Sequence, residues 1–332
     1  MYGLCGFMHR CGIRRTGTGA CGWELIMKNG VKKERSKWNR FLHNDNVVGY
    51  VFSAPFVIGF LGFTIIPMIV SMYYSMTDYN LVNKENWVGL ANYAALLTDE
   101  RFQKSIYVTF KYVLFSVPLK LAFALFVAYL LTRKRKGISF YRSLYYVPSL
   151  IGGSIAVALV WKELFARKGL INSMLGQLGV EPVSWFGNQK MALVPLIIMS
   201  AWQFGSAMII FAAGLKEVPS TYYEAAEIDG AGKWQSFRKI TLPCLSPIIL
   251  YNLVMQMISG FMMFTQAFVI TKGGPNDATL VYALYVYNTG FKYYKMGYAS
   301  AMSWVMLVVM SLITLVIFKT SKLWVFSEAD EG

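Results

Sequence analysis

Six apolar runs, each long enough to cross a lipid bilayer, dominate this sequence. A spanning helix needs about 20 mostly apolar residues, whereas a spanning β-strand would alternate apolar and polar positions over about 10 residues. These runs are apolar all round, which predicts helices, because a helix satisfies its own backbone polar groups in lipid. We therefore expect an all-α integral membrane protein with one six-span domain over residues 47–318. The six predicted spans are 47–77, 107–132, 143–161, 191–215, 244–270 and 296–318.

The composition agrees with a membrane protein, since 56% of the residues are hydrophobic and only 15% are charged. A net charge of +15 raises the alternative of nucleic-acid binding. However, the basic residues collect beside the apolar runs instead of following one helix face. Membrane lipids, and no nucleic acid, are the expected surroundings.

The distribution of Lys and Arg predicts which loops face the cytoplasm, because positively charged loops stay inside. Basic residues are densest in the N-terminal tail, in the loop around 133–142 and in the insert 216–243, and Lys319 and Lys322 follow the last span. The loops between these carry about half as many. We expect both termini and the insert to be cytoplasmic.

The two ends of the chain are predicted to be tails. Residues 1–46 form the N-terminal tail, which we expect to be partly disordered, and residues 319–332 form the C-terminal tail. Residues 1–26 lack the apolar core of a signal peptide, and Met27 precedes a basic run, so Met27 is a candidate for the biological start. The cysteines show no disulfide or metal spacing, and both histidines lie in the N-terminal tail.

One polar insert, residues 216–243, separates the fourth and fifth spans. Thr221 and Glu224 have the spacing of a capping box at a helix start, and Gly230 can turn the chain after that helix. A second helix is predicted over 233–240. A connection between helices needs only about 2–8 residues. The insert therefore predicts a helix–turn–helix whose small alanine face fits a groove of a partner.

A nucleotide site in the insert can be excluded. The sequence "GAGKW" contains Gly-Lys, but a phosphate-binding loop needs a first glycine and a final Ser or Thr. Glu227 and Trp234 stand at those two positions. We expect no ATP site in this chain.

The sequence "EAAEIDGAGKWQSFRKITLP" in the insert resembles the EAA motif of permease subunits of binding-protein-dependent ATP-binding-cassette (ABC) importers. "NYAALL" upstream, and "TKGGP" and "MGYASAMSW" downstream, are similar to the maltose/glycerol-phosphate branch that imports sugars. The likeness extends over approximately 47–322. The residues that match the motif are Glu224, Ala225, Ala226, Gly230, Ile240, Leu242 and Pro243.

The resemblance implies the fold of a type I importer permease in a bacterial cell (inner) membrane, forming half of a sugar pathway. It implies a second permease subunit, two ATPase subunits that bind ATP and Mg, and an extracytoplasmic solute-binding protein. The chain itself would hold no cofactor or metal and would not be an enzyme. The residues implied to couple to the ATPase are Glu224, Ala225, Ala226, Asp229 and Gly230.

The same resemblance implies a set of substrate-binding residues in the fourth and fifth spans. An indole can stack on a sugar ring, and amides can hydrogen bond its hydroxyls. Maltose-type permeases have asparagines at the positions of Gly260 and Met263, which implies a different sugar. Alternatively, these polar groups bond neighbouring helices. The implied set is Trp202, Gln203, Ser206, Gln256, Ser259, Gly260, Met263 and Thr265.

Two features stay open at this level. Lys120 lies in the middle of the second span, where a cation must face the bundle interior; it either contacts another subunit or binds an acidic sugar. The last outer loop is rich in tyrosines, which form either a belt at the membrane interface or a docking surface. These tyrosines are Tyr282, Tyr285, Tyr287, Tyr293, Tyr294 and Tyr298.

Two other classes of function compete with a permease subunit. A stand-alone secondary transporter usually carries acidic residues or histidines within its spans, and the central parts of these spans contain no acidic residue. A membrane enzyme needs a cluster of acids, bases or metal ligands, which the spans do not show. The secondary transporter remains the alternative.

Overall fold

The computed structural model describes residues 45–80, 82, 85–132 and 137–326. Within these residues the regular structure is helical, apart from one isolated bridge between Thr77 and Trp87. The basic tail residues, the loop 133–136, the first three cysteines and both histidines lie outside the described residues. In chain order, the α-helices are α1 (Asp45–Phe60), α2 (Ile66–Ser75), α3 (Ala91–Thr98), α4 (Glu100–Leu131), α5 (Ile138–Ile151), α6 (Ile155–Leu164), α7 (Leu170–Gln177), α8 (Val194–Trp202), α9 (Gly205–Glu217), α10 (Ser220–Ile228), α11 (Lys233–Ser236), α12 (Leu242–Cys244), α13 (Ser246–Phe261), α14 (Tyr282–Tyr287) and α15 (Met296–Ser321). π-helical turns occupy Leu61–Ile65, Phe237–Thr241, Ala267–Thr271 and Asn288–Lys292.

The predicted six-span, all-α membrane architecture is confirmed. Three helices are long and apolar enough to span a membrane by themselves, namely Gly49–Ser75, Glu100–Leu130 and Met296–Ser321. Three more spans are pairs of helices with a bend between them: α5 with α6, α8 with α9, and α11–α12 with α13. The residues before Pro67 form a compact unit of their own, in which most described side chains are exposed.

Three of the six spans are bent. The third span turns by 98° between α5 and α6, the fourth by 44° and the fifth by 66°. At the first of these breaks Gly152 and Gly153 interrupt the helix, and the Ser154 side chain accepts a hydrogen bond from Val157 N at 3.3 Å to begin α6. A break at membrane depth requires such replacement partners for its backbone groups.

Helix α4 is the centre of the second unit, which runs from Pro67 onward. It packs against α8, α9 and α13. Where α4 meets α9, Ala124 and Ala128 are fully buried against Ala207 and Phe211. Small side chains at helix contacts allow close approach, which drives helix packing in lipid.

Each end of α4 is fixed by a side chain. Asp99 caps the first turn by accepting hydrogen bonds from the backbone N–H groups of Arg101 and Phe102 at 2.9 and 3.1 Å. At the other end, Arg142 donates to the carbonyl oxygen of Leu131 at 2.8 Å. These bonds satisfy groups that a helix leaves free at its ends.

Helix α10 begins at Ser220, two residues before the start near Tyr222 that a Thr221 cap predicts. Its N-cap is Pro219, without a side-chain hydrogen bond, so the predicted capping box between Thr221 and Glu224 is wrong. Pro219 has φ −60° and ψ 134°, and its fixed φ places the helix boundary before Thr221. The predicted second helix over 233–240 is present as an unbroken helical segment, made of α11, a π-helical turn and α12, that extends to Cys244.

Candidate functional site

A polar cavity of about 250 Å³ lies where α4, the break before α9 and the end of α13 meet; we call it the central cavity. A larger cavity of about 830 Å³ beside α15 is lined mostly by apolar side chains, so it offers a polar solute few hydrogen bonds. A third cavity, of about 490 Å³ and also polar, lies at the first turn of α4 beside Asp99. The central cavity is the candidate binding site because it lies midway along α4, among the spans. It is lined by Tyr112, Ser116, Val117, Lys120, Gly153, Leu196, Ser200, Gln203, Gln256, Ser259, Gly260, Met262, Met263, Phe264, Thr265 and Gln266.

Six of the eight implied substrate residues line the central cavity together. Two do not. Trp202 packs against Trp161, with 5.6 Å between ring centroids, and Ser206 uses its backbone N–H to bond Ser149. The six that share the cavity are Gln203, Gln256, Ser259, Gly260, Met263 and Thr265.

The break between α8 and α9 aims Gln203 into the cavity. Ser149 bridges this break, since its Oγ donates to the carbonyl oxygen of Gln203 at 3.1 Å and accepts from Ser206 N at 3.0 Å. The Gln203 side chain then donates to the carbonyl oxygen of Gly152 at 3.2 Å. A Cβ on Gly205 would lie 2.4 Å from the carbonyl oxygen of Tyr145, so the two spans touch at backbone distance.

The end of α13 supplies the opposite wall. The spacing of Gln256, Gly260 and Met263 predicts one shared helix face, but the helix ends at Phe261, so Met263 does not continue that face. Met263 lies in the irregular segment that follows and Thr265 begins the next helical turn, and both still line the cavity.

Helix α4 contributes two polar residues on one face. Ser116 and Lys120 are four residues apart and both line the cavity. Ser116 is 1% exposed, and its hydroxyl lies beside that of Tyr112, which also lines the cavity. Sequence reasoning singled out Lys120 and missed Ser116, although the i, i+4 spacing was a signal for it.

A second cluster, at the first turn of α4, joins three helices; we call it the Asp99 cluster. The Asp99 carboxylate accepts hydrogen bonds from the hydroxyls of Tyr285 on α14 at 2.6 Å and Tyr298 on α15 at 2.9 Å, besides capping α4. Burial alone would raise the pKa of Asp99. The bonds from Tyr285, Phe102, Tyr298 and Arg101 outweigh burial, so the pKa of Asp99 lies below its ordinary value.

The tyrosines of the last outer loop therefore divide into two groups. Tyr282, Tyr285 and Tyr298 belong to neither a membrane belt nor a docking surface, because their hydroxyls bond within the fold; that of Tyr282 donates to Met302 O at 2.6 Å. The other three, Tyr287, Tyr293 and Tyr294, are exposed.

An ion pair holds the "TKGGP" loop to the Asp99 cluster. Arg101 binds both carboxylate oxygens of Asp277, with Nε–Oδ2 and Nη2–Oδ1 distances of 3.0 and 2.8 Å. Lys104 donates to the carbonyl oxygen of Asn276 next to it. Such a two-point Arg–carboxylate contact fixes direction as well as distance.

The polar insert presents an apolar surface. Ile228 is 87% exposed and Trp234 is 74% exposed, and Ala225 beside them is exposed too. Gly230 turns the chain with φ +77°, a conformation that glycine adopts without cost. Large apolar side chains exposed on a polar segment are typical of an interaction surface.

One contact within the polar insert and one to a span fix its position. Within the insert, the hydroxyl of Tyr223 on α10 shares a 2.9 Å hydrogen bond with Thr241 Oγ1. Phe237 packs on Tyr129 of α4 with 5.2 Å between ring centroids. Sequence reasoning missed both, because each joins residues from different elements. Movement of the insert would therefore disturb the contact between Phe237 and Tyr129 of α4.

Residues 88–321 match the family of the binding-protein-dependent transport system inner membrane component. The chain belongs to this family of membrane transport subunits. It is similar to the probable ABC transporter permease protein YesP of Bacillus subtilis (strain 168), with 52% identity over 306 residues that cover 91% of this chain and 99% of that protein.

The arabinooligosaccharides transport system permease protein AraP of the same organism is 31% identical over 296 residues, covering 87% of this chain and 93% of AraP. Among solved structures, a chain of a bacterial alginate ABC transporter in complex with an alginate pentasaccharide-bound periplasmic protein superposes with a TM-score of 0.73. That superposition covers 85% of this chain and 96% of that chain at 23% identity, and it shows a shared fold.

Proposed function

We propose that this chain forms half of the translocation pathway of an ABC importer for a sugar or oligosaccharide. The observation that carries the proposal is the central cavity, which collects amide and hydroxyl side chains from three spans at the depth where lipid would otherwise exclude them. Polyhydroxylated solutes need many hydrogen bonds of this kind. AraP, a relative, is named for arabinooligosaccharides, which supports the sugar class.

The size of the cavity supports a second permease subunit. Complete ligand sites usually enclose about 300–1,000 Å³, and the central cavity has about 250 Å³. A second permease would complete the site from the other side. Gln203, Gln256 and Ser259 would then bond the sugar, while Trp202 and Ser206 support the walls of the cavity.

An ATPase partner supplies the energy in this proposal. Helix α10 would dock into its groove, with Ala225 and Ala226 allowing close approach and Ile228 filling the apolar part. Glu224 and Asp229 would meet basic groups of the ATPase, and Gly230 would keep the turn. ATP and Mg bind to that partner, so this chain is not itself an enzyme.

The charges support an orientation of the chain in the membrane. Lys233, Arg238 and Lys239 in the polar insert, together with the basic loop after α4, place that side in the cytoplasm. Both termini then lie in the cytoplasm, and the Asp99 cluster, at the other end of α4, faces outward. A solute-binding protein would deliver the sugar there.

Reconstitution tests this function directly. The chain is purified with its second permease and ATPase, placed in liposomes, and supplied with its binding protein and labelled oligosaccharides. We expect uptake that needs both ATP and the binding protein. Uptake by the permease alone, driven by an ion gradient, would instead identify a secondary transporter.

A further inference from the structure

Lys120 is the residue of the central cavity that the proposed function leaves without a role. It lies on α4, in the middle of a span, and its side chain lines the cavity with Gln203 and Gln256. A cation at this depth is costly unless it faces water or a compensating charge. A cation at this position is therefore a candidate for binding the transported solute.

The described part of the chain provides Lys120 with no compensating charge. None of its carboxylates lines the central cavity. The one ion pair among the described residues joins Arg101 and Asp277, at the first turn of α4. Among the described residues Lys120 makes no hydrogen bond either. Its ammonium is therefore left to pair with a solute that enters the cavity.

The neighbours of Lys120 match an anion. Ser116, one turn earlier on the same face, is buried, and its hydroxyl lines the cavity beside that of Tyr112. The amides of Gln203 and Gln256 can donate N–H groups, and Ser259 adds another hydroxyl. An acidic side chain here would repel an anionic solute, and the described lining has none. A carboxylate held by an ammonium and several donors forms strong, charge-assisted hydrogen bonds.

We propose that the imported saccharide is acidic and that the Lys120 ammonium pairs with its carboxylate as the sugar passes through the central cavity. This inference rests on the proposed import of sugars and narrows the substrate to oligosaccharides that contain uronic acid. Ser116 and the two glutamines would bond the carboxylate and the adjacent hydroxyls. The competing role of Lys120 is a fixed contact with a carboxylate of the second permease.

Uptake by the complete reconstituted transporter tests the proposal. The probes are di- to tetrasaccharides of galacturonate, glucuronate and mannuronate, each compared with its neutral counterpart in which the carboxyl is reduced to a hydroxymethyl. The variants are Lys120→Met, which removes the charge, and Lys120→Arg, which keeps it. Lys111→Met is the matched control, since Lys111 is on the same helix but exposed and outside the cavity.

We expect the wild type to import at least one uronate oligosaccharide. Lys120→Met should lower the ratio of uronate to neutral uptake at least tenfold, whereas Lys120→Arg and Lys111→Met stay within threefold of the wild type. If the wild type imports uronates but no neutral sugar, the rate of uronate uptake is compared instead of the ratio. Lys120→Met should then lower that rate at least tenfold, and Lys120→Arg and Lys111→Met should stay within threefold of the wild type. Equal loss of both uptakes, or loss of neither, would overturn the proposal in favour of a fixed contact or no role.

A second variant covers the case in which Lys120→Met does not assemble. Gln256→Glu leaves Lys120 in place and adds a carboxylate to the cavity, so it should also lower the uronate-to-neutral ratio. An unchanged ratio would overturn the proposal. If the wild type imports only neutral sugars, the proposed acidic substrate is rejected and the proposed sugar import stands. If it imports neither uronates nor neutral sugars in the presence of ATP, both proposals are rejected.

Discussion

Replacing Asp99 with alanine should loosen the joint between α4, α14 and α15. The change removes the cap of α4, which contributes about 1 kcal/mol, and two phenol–carboxylate hydrogen bonds, each worth about 1.5–3 kcal/mol. Asp99 is only half-buried, and Tyr285 is left buried without its partner. Weighing these effects, we expect a loss of about 3–4 kcal/mol in the free energy of unfolding.

The assay is thermal unfolding of the transporter complex in detergent, followed by tryptophan fluorescence. One kcal/mol corresponds to roughly 2–4 °C in a chain of 150–250 residues, so Asp99→Ala should lower Tm by about 6–16 °C. Asp99→Asn keeps a capping side chain but removes the charge that about doubles the strength of the phenol bonds. It should cost about half as much.

Two controls make this prediction refutable. Glu100→Ala changes the exposed neighbour and should cost less than about 1 kcal/mol. A double-mutant cycle between Asp99→Ala and Tyr285→Phe should give a coupling energy of at least about 1 kcal/mol. Equal Tm values for Asp99→Ala and Glu100→Ala, or additive effects in the cycle, would show that the Asp99 cluster does not hold these helices together.

The pH dependence has a definite sign. Because the pKa of Asp99 is lowered in the folded state, its contribution is complete above the unfolded pKa of about 3.9. The contribution is lost as pH falls through the lower, folded pKa. The difference in Tm between the wild type and Asp99→Asn should therefore be constant from pH 8 to about pH 5 and shrink below about pH 4.

Two further substitutions test the close contacts between spans. In Gly297→Ala the new Cβ would lie 2.1 Å from a backbone carbonyl oxygen, so the backbone must move. Ordinary overpacking costs ~1–3 kcal/mol, and we expect a fall in Tm larger than that cost would produce. An unchanged Tm would mean that α15 is not packed this closely. Ser149→Ala removes the bridge between Gln203 and Ser206 and should lower the free energy of unfolding by about 1–3 kcal/mol. It should also slow uptake more than the control Ser143→Ala, which changes an exposed residue of the same helix. Equal uptake by the two variants would contradict the role of the bridge.

The spans and the EAA motif could be predicted from the sequence because both are local properties. Apolar length alone decides whether a segment crosses the bilayer. The bends could not be predicted in the same way. The break at Gln203 depends on a hydroxyl from Ser149, on another span, that replaces its lost helix bonds.

The same reasoning explains which of the implied site residues line the central cavity. Gln256, Ser259 and Gly260 lie on an unbroken stretch of α13, where spacing along the helix fixes their direction. Trp202 and Ser206 flank the break between α8 and α9 and turn away from the cavity. The Asp99 cluster was missed because its carboxylate and its tyrosines come from three separate elements.

The central claim is that the polar insert transmits force from an ATPase to the spans, and the ratio of ATP hydrolysed to saccharide imported measures it most directly. Gly230 and Gly179 make a matched pair, since both have positive φ, both donate to a carbonyl oxygen three residues earlier at 3.1 Å, and a Cβ added to either would meet no atom within 4 Å. Proline cannot adopt that φ and removes that donor. We predict that Gly230→Pro raises the ratio at least tenfold and that Gly179→Pro leaves it within twofold of the wild type. The same ratio in both variants, or full coupling in Gly230→Pro, would contradict the account.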